Sequence, residues 1–271
     1  MSRRATFSIG IFLVVWGGFA CLDVSSPVTG IASITTVLAP IPSVAVGDSS
    51  RDTLGALDSL RVYAFAPNGD TVRDVRVVFF ALDTTKKLHI DSLTGIARGD
   101  SLSPNAAVSA RVTPANGKGS LQTPVVPYPV VPVPVSATKD SDITLFSYNA
   151  TVQDTLSSEL LSPPLSVTVH GAGGAVVQRY LASFEIIRSP HSRSGEPTVI
   201  LSDDTSKPTS VDTTDAAGHG SRRLRVRRGA LDDNVNLGVA TDTAVVRVHV
   251  WYRGSLPITP ADSFIVPIRG R

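Results

Sequence analysis

The chain has 271 residues with 25 Lys and Arg against 23 Asp and Glu, a near balance that gives no electrostatic case for nucleic-acid binding. A single cysteine excludes any intramolecular disulfide. Aromatic residues are only 6% of a chain in which Val, Thr, Ser, Gly and Pro are prominent. That composition favours strands over helices, and the length suits two β-sandwiches of about 100 residues each.

Residues 1–20 stand apart from the rest. Arg3 and Arg4 precede a fourteen-residue apolar run, Phe7 to Ala20, and Cys21 follows at once. A charged start, a short apolar stretch and a small residue before the cut predict an export signal, and the run is too short to span a bilayer comfortably. A retained anchor helix is the alternative, weakened by Gly10, Gly17 and Gly18. Both readings place the remainder outside the cytoplasm. Gly18-Phe19-Ala20-Cys21 resembles the lipobox of bacterial lipoproteins, with Gly18 where that motif usually has Leu. The resemblance implies that Cys21 carries the lipid and becomes the mature N-terminus. It also gives the lone thiol of an exported chain a purpose. Leu22 in place of Asp after the cysteine resembles lipoproteins sent on to an outer membrane or cell surface. Loss of residues 1–20 removes two arginines and no acids, leaving 23 basic against 23 acidic residues. Residues 21–30, interrupted by Pro27, read as a tether with a reach of about 30 Å.

An internal repeat follows. Leu60–Leu82 aligns without gaps on Leu165–Ile187 at a constant offset of 105, with identities at Leu60/Leu165, Val62/Val167, Gly69/Gly174, Val72/Val177 and Phe79/Phe184. Each copy reads as strand, glycine turn, strand. Leu165, Val167 and Val169 alternate with Ser166, Thr168 and His170, the period-2 pattern of a half-buried strand. Asn68-Gly69-Asp70 and Gly171 to Gly174 supply the positive φ such turns need, and a hairpin accounts for those glycines better than a phosphate loop does. One sandwich copied once gives this period.

The Pro-rich run Pro124 to Val135 contains five prolines, which cannot donate in a central strand, so it reads as an edge strand or extended connector, with polyproline recognition as the lesser reading. Asp142 to Ser147 is expected to end the first copy, and Asn149 to Pro164 to be a linker or the first strand of the second. Late in the second copy, Val246, Val248 and Val250 alternate with Arg247, His249 and Trp251, and Phe264, Val266 and Ile268 form a last strand. With these elements and Val211 to Val226, in which Thr214-Asp215-Ala216-Ala217-Gly218 matches a Thr-Asp-x-x-Gly turn, residues 151–271 resemble the bacterial immunoglobulin-like domains of intimin and invasin type. In the first copy, Thr113 to Ser120 departs from that turn. The expected architecture is all-β: two tandem immunoglobulin-like β-sandwiches, 31–150 and 151–271, behind the signal and tether.

Chemistry is sparse. The five histidines show no metal-ligand spacing, and no phosphate loop, dinucleotide fingerprint or GxSxG elbow is present. No enzyme activity, cofactor or metal is expected. The run Ser221 to Arg228 places Arg223, Arg225 and Arg227 on one strand face, a stripe that suits sulfated or phosphorylated glycans or lipid headgroups, unless it is an ordinary solvated face balanced by Asp203, Asp204, Asp212 and Asp215. The pairs Asp140/Asp142, Asp203/Asp204 and Asp232/Asp233 read as turn formers before calcium ligands. Trp251 beside Tyr252 either stacks on a sugar or faces the core. The functional expectation is a non-catalytic envelope lipoprotein, membrane-bound through its lipid and acting as a spacer or adhesion module toward a cell-surface glycan or protein. A carbohydrate-binding module is the alternative, and the oligomeric state is open.

Overall fold

The computed structural model describes residues 30–115, 119–152, 157–203, 209–254 and 263–271. The signal 1–20, Cys21 and the tether as far as Thr29 lie outside the described residues. No helix among the described residues is long and apolar enough to cross a membrane.

The first sandwich is built from short strands: β1 (Ser33–Ile34), β2 (Val44–Ala45), β3 (Ala64–Phe65), β4 (Val75–Ala81), β5 (Leu88–Ile90), β6 (Ala97–Gly99), β7 (Ala107–Pro114), β8 (Leu121–Gln122), β9 (Val126–Pro127) and β10 (Val130–Val131). Its longest ladder joins β4 to β7 over seven pairs, from Val75↔Pro114 to Ala81↔Val108. Val108, Ala110 and Val112 alternate inward along β7, and the core closes around Leu60, Phe79, Leu88, Ala97 and Tyr128.

The second sandwich has longer strands: β11 (Pro134–Lys139), β12 (Phe146–Tyr148), β13 (Leu165–Gly171), β14 (Leu181–Arg188), β15 (Val199–Ser202), β16 (Val211–Thr213), β17 (His219–Val226), β18 (Asp242–His249) and β19 (Phe264–Gly270). They form a four-stranded sheet, β11-β13-β17-β15, facing a five-stranded one, β12-β19-β18-β14-β16. All pairings are antiparallel except β12 with β19. Two packed sheets of this order make an immunoglobulin-like sandwich. The alternations read from sequence fall as expected. Leu165, Val167 and Val169, then Val246, Val248 and Val250, then Phe264, Val266 and Ile268, all point into one core.

The 105-residue offset holds down to individual hydrogen bonds. Phe65 bridges Thr71 as His170 bridges Val176. Ala66 N–H donates to Asp70 O at 2.9 Å as Gly171 N–H does to Ala175 O at 2.6 Å. Val72 N–H donates to Ala64 O at 2.8 Å as Val177 N–H does to Val169 O at 3.2 Å. Gly69, Gly173 and Gly174 have φ of 88°, 69° and 79°, the left-handed values the turns require.

Two features differ from the sequence reading. The boundary lies near Pro132 rather than at residue 150, because β11 pairs with β13 and β12 with β19, and Ala137, Ile143, Phe146 and Tyr148 are buried in the second core. Asp142 to Ser147 therefore opens the second sandwich instead of closing the first, and Asn149 to Pro164 connects β12 to β13 within it. An amphipathic strand fits either core, and long-range packing chooses between them. The Pro-rich run is both edge strand and connector. β9 pairs with the rim of β7, β10 pairs with β2, and the chain then crosses into β11.

The second difference concerns the turn missing from Thr113 to Ser120. Its counterpart is Asp91 to Gly95, just before β6, as Asp215 to Gly218 stands just before β17. In both, the aspartate carboxylate accepts turn N–H groups: Leu93 and Thr94 at 2.9 and 2.8 Å, Ala217 and His219 at 2.8 and 3.0 Å. Each glycine then donates its N–H back to the aspartate carbonyl, Gly95 at 2.9 Å and Gly218 at 3.1 Å. The two aspartates are 124 residues apart rather than 105, because the second sandwich has the longer path from β14 to its turn, and a gapless alignment at the hairpin's offset therefore misses the match.

These bonds hold both carboxyls below the usual carboxylate range: Asp91 through the N–H groups of Thr94 and Leu93, and Asp215 through that of His219 against a smaller opposing effect of burial. A carboxylate depressed in the folded state lends stability above its unfolded pKa of about 3.9 and loses it as pH falls through the folded value. Urea titrations are therefore expected to show midpoints falling below about pH 4, and Asp91→Asn and Asp215→Asn should each flatten that fall. An unchanged slope in both variants would contradict the assignment.

Candidate functional site

β17 carries the basic stripe, and the period-2 reading of it holds: Leu224 and Val226 enter the core, and Arg223, Arg225 and Arg227 take the opposite face. The three arginines are not equivalent. Arg223 donates from Nη1 to Ser162 O at 2.8 Å, where Leu161 and Ser162 run alongside β17. Arg225 is only 5% exposed. Arg227 is exposed, with Nη1 4.0 Å from Glu196. The balancing acids expected from sequence also differ. Asp212 pairs with the neighbouring Arg222 at 3.0 Å, and Asp215 is occupied by its turn.

Arg225 and Arg227 line a groove of about 1370 Å³ on the outer side of the second sandwich. Arg193, from the loop after β14, and Arg271, just past β19, face the same space. Glu196 and Asp233 bring negative charge, and Asp233 holds Arg193 Nη1 at 2.5 Å. Apolar walls come from Val152, Leu160, Ile200 and Leu237. No aromatic ring lines the groove among the described residues. Arg193 and Arg271 have no signature in sequence, since each is a single arginine in unpatterned surroundings brought to β17 by the closure of the sandwich.

Trp251 lies elsewhere. It follows β18 into the junction between the sandwiches, where its ring lies against Gly55 and stacks on His249 at 5.8 Å. It does not offer an open platform for a sugar.

The junction is densely bonded. Asp48 is buried, and its carboxylate accepts from Ser49 N–H at 2.7 Å and Arg51 Nε at 2.9 Å in the first sandwich, and from Arg253 N–H at 2.8 Å in the second. Tyr252 donates its hydroxyl to Val46 O at 3.0 Å, Arg253 Nε donates to Gly47 O at 3.0 Å, and Ser43 Oγ donates to Arg179 O at 2.7 Å. Arg179 and Arg253 both adopt φ of 55°, a left-handed conformation uncommon outside glycine. Two such residues where the sandwiches meet mark a contact that the surrounding structure over-determines.

Among the described residues, the cluster around His219 lacks the geometry of a catalytic relay. Thr168 Oγ1 lies 2.9 Å from His219 Nδ1 and 2.6 Å from Asp140 Oδ1, and Asp140 Oδ2 lies 3.0 Å from the same Nδ1. A nucleophile–base–acid relay needs the hydroxyl and the carboxylate on different ring nitrogens, whereas these two share one. Asp142 pairs with Lys139, Asp232 caps the short helix Asp233–Asn236, and Asp204 lies outside the described residues. Among the described residues no group of three or more His, Cys, Asp or Glu is placed to hold a metal.

No family model matches the chain, and no curated protein matches it. Among solved structures it is similar to the adhesin InvE of Yersinia pseudotuberculosis, at 16% identity over 87% of this chain and 58% of that one, with a TM-score of 0.33. It is also similar to a β-glucuronidase of Parabacteroides merdae, at 11% identity over 88% of this chain and 24% of that one, TM-score 0.27. For the EC1-4 region of Drosophila N-cadherin the values are 12%, 89% and 50%, TM-score 0.26. The chain spans less than two thirds of each of these three proteins, and no activity or partner transfers on likenesses of this size.

Proposed function

We propose that the chain is an exported envelope protein, held to a membrane by a lipid on Cys21, whose two sandwiches act together as a non-catalytic spacer and adhesion module. The observation that carries this reading is the Asp48 junction. One buried carboxylate ties a loop of the first sandwich to the backbone of the second, and Tyr252, Arg253 and Ser43 repeat the link in both directions. A spacer needs a fixed angle between its units, and several bonds converging on a strained backbone supply it at little entropic loss. The short tether would set the first sandwich near the lipid surface and carry the groove of the second outward.

Small-angle scattering tests the reading directly. The wild-type chain is expected to scatter as one rigid body. Asp48→Ala removes a charge-assisted bond across the junction and should weaken the coupling by about 2 kcal/mol, with a larger radius of gyration and a red shift in Trp251 emission. A wild-type profile that fits two independently moving units would refute the spacer. Intact-mass measurement of the membrane fraction tests the anchor: diacylglycerol on Cys21 is expected, and a soluble chain with a free thiol would end that part of the proposal.

A further inference from the structure

We propose that the groove of the second sandwich binds an anionic oligosaccharide, a chain bearing uronate or sulfate groups, with Arg227 and Arg271 as the principal contacts. The lining side chains comprise four arginines against two carboxylates, so their charge is positive in sum. Arg193 already spends one edge on Asp233, whereas Arg227 touches Glu196 only at 4.0 Å, and Arg271 forms no ion pair among the described residues. Both are exposed, and both can present a planar fork to a carboxylate or sulfate.

Size and lining narrow the ligand further. About 1370 Å³ exceeds the roughly 300–1,000 Å³ of a small-molecule pocket, so several units of a chain fit. Without an aromatic ring a neutral sugar lacks a stacking surface, and charge must supply the affinity.

The test measures binding of the full-length chain, in non-ionic detergent, to oligogalacturonate, sulfated dextran fragments, neutral dextran fragments and poly-glutamate by calorimetry. Saturable binding to either charged saccharide, weakening with salt and absent for neutral dextran, is expected, and which of the two binds identifies the anion. Arg227→Gln with Arg271→Gln should weaken it at least tenfold with unfolding unchanged, since both side chains are exposed, and Arg98→Gln on the first sandwich should leave it intact. Failure of both charged saccharides to bind, equal binding by poly-glutamate, or an undiminished affinity in the double variant would overturn the proposal.

Discussion

Replacing Gly95 with alanine is expected to destabilise the first sandwich by about 3 kcal/mol, through two effects that add. Gly95 has φ of 73°, a conformation that costs an L-residue about 1 kcal/mol. A Cβ there would also stand 2.8 Å from Leu60 O and 2.9 Å from the Phe79 ring. Leu60 O belongs to backbone, and Phe79 is buried in the core, so neither yields without moving its neighbours, a strain of about 1–3 kcal/mol. Gly69 separates the two effects. Its φ is 88° but nothing lies within 4 Å of its Cβ position, so Gly69→Ala should cost only about 1 kcal/mol. Urea unfolding of both variants measures the difference, and equal losses would mean that the close approach at Gly95 does not exist.

That glycine also shows why part of the fold could be read from the sequence and part could not. Alternation along 165–169 and 246–250 fixes strand faces because the side-chain period is two whatever the partner strand is, and the 105-residue offset survives because the early hairpin is a local structure. The turn at Asp91 to Gly95 escaped because the two copies differ in length between the early hairpin and the turn, which puts the turns 124 residues apart at the aspartate while leaving the bonding intact. Strand β11 escaped because pairing is long-range. Yet β11 is the counterpart of β1, since Ala137 pairs with Val169 as Ile34 pairs with Ala64. The site divides in the same way. Arg225 and Arg227 were visible as an alternating stripe, but which of them is buried is set by long-range pairing: Arg225 is flanked by Leu161 and Ile200 from other segments, whereas Arg227 lies exposed just past the end of the strand. Arg193 and Arg271 join it only through closure of the sandwich. Trp251 was legible as an aromatic beside a strand end, and its place in the junction depends on contact with Gly55, about two hundred residues away.

The matched Thr-Asp-x-x-Gly turn carries the second large effect. Thr214 is 2% exposed, and its hydroxyl makes two bonds: Oγ1 donates to Val177 O at 2.7 Å and accepts from Tyr180 N–H at 2.9 Å. It thereby holds the segment between β13 and β14 against the turn between β16 and β17, two connections that each cross from one sheet to the other. Valine has nearly the same shape without the hydroxyl, so Thr214→Val keeps the packing and removes a partner from two backbone groups. A buried group left unpaired costs about 1–3 kcal/mol, and the pair together should cost about 3–4 kcal/mol. Thr214→Ser keeps the oxygen and loses only a methyl group, so a loss of about 1 kcal/mol is expected. The same segment forms part of the junction, because Tyr180 donates its own hydroxyl to Trp251 O at 2.6 Å and Arg179 accepts from Ser43. Thr214→Val should therefore red-shift Trp251 emission before the second sandwich unfolds, whereas Thr214→Ser should not. Loss of stability with no change at Trp251 would show that the turn supports its own sandwich and plays no part in fixing the angle to the first.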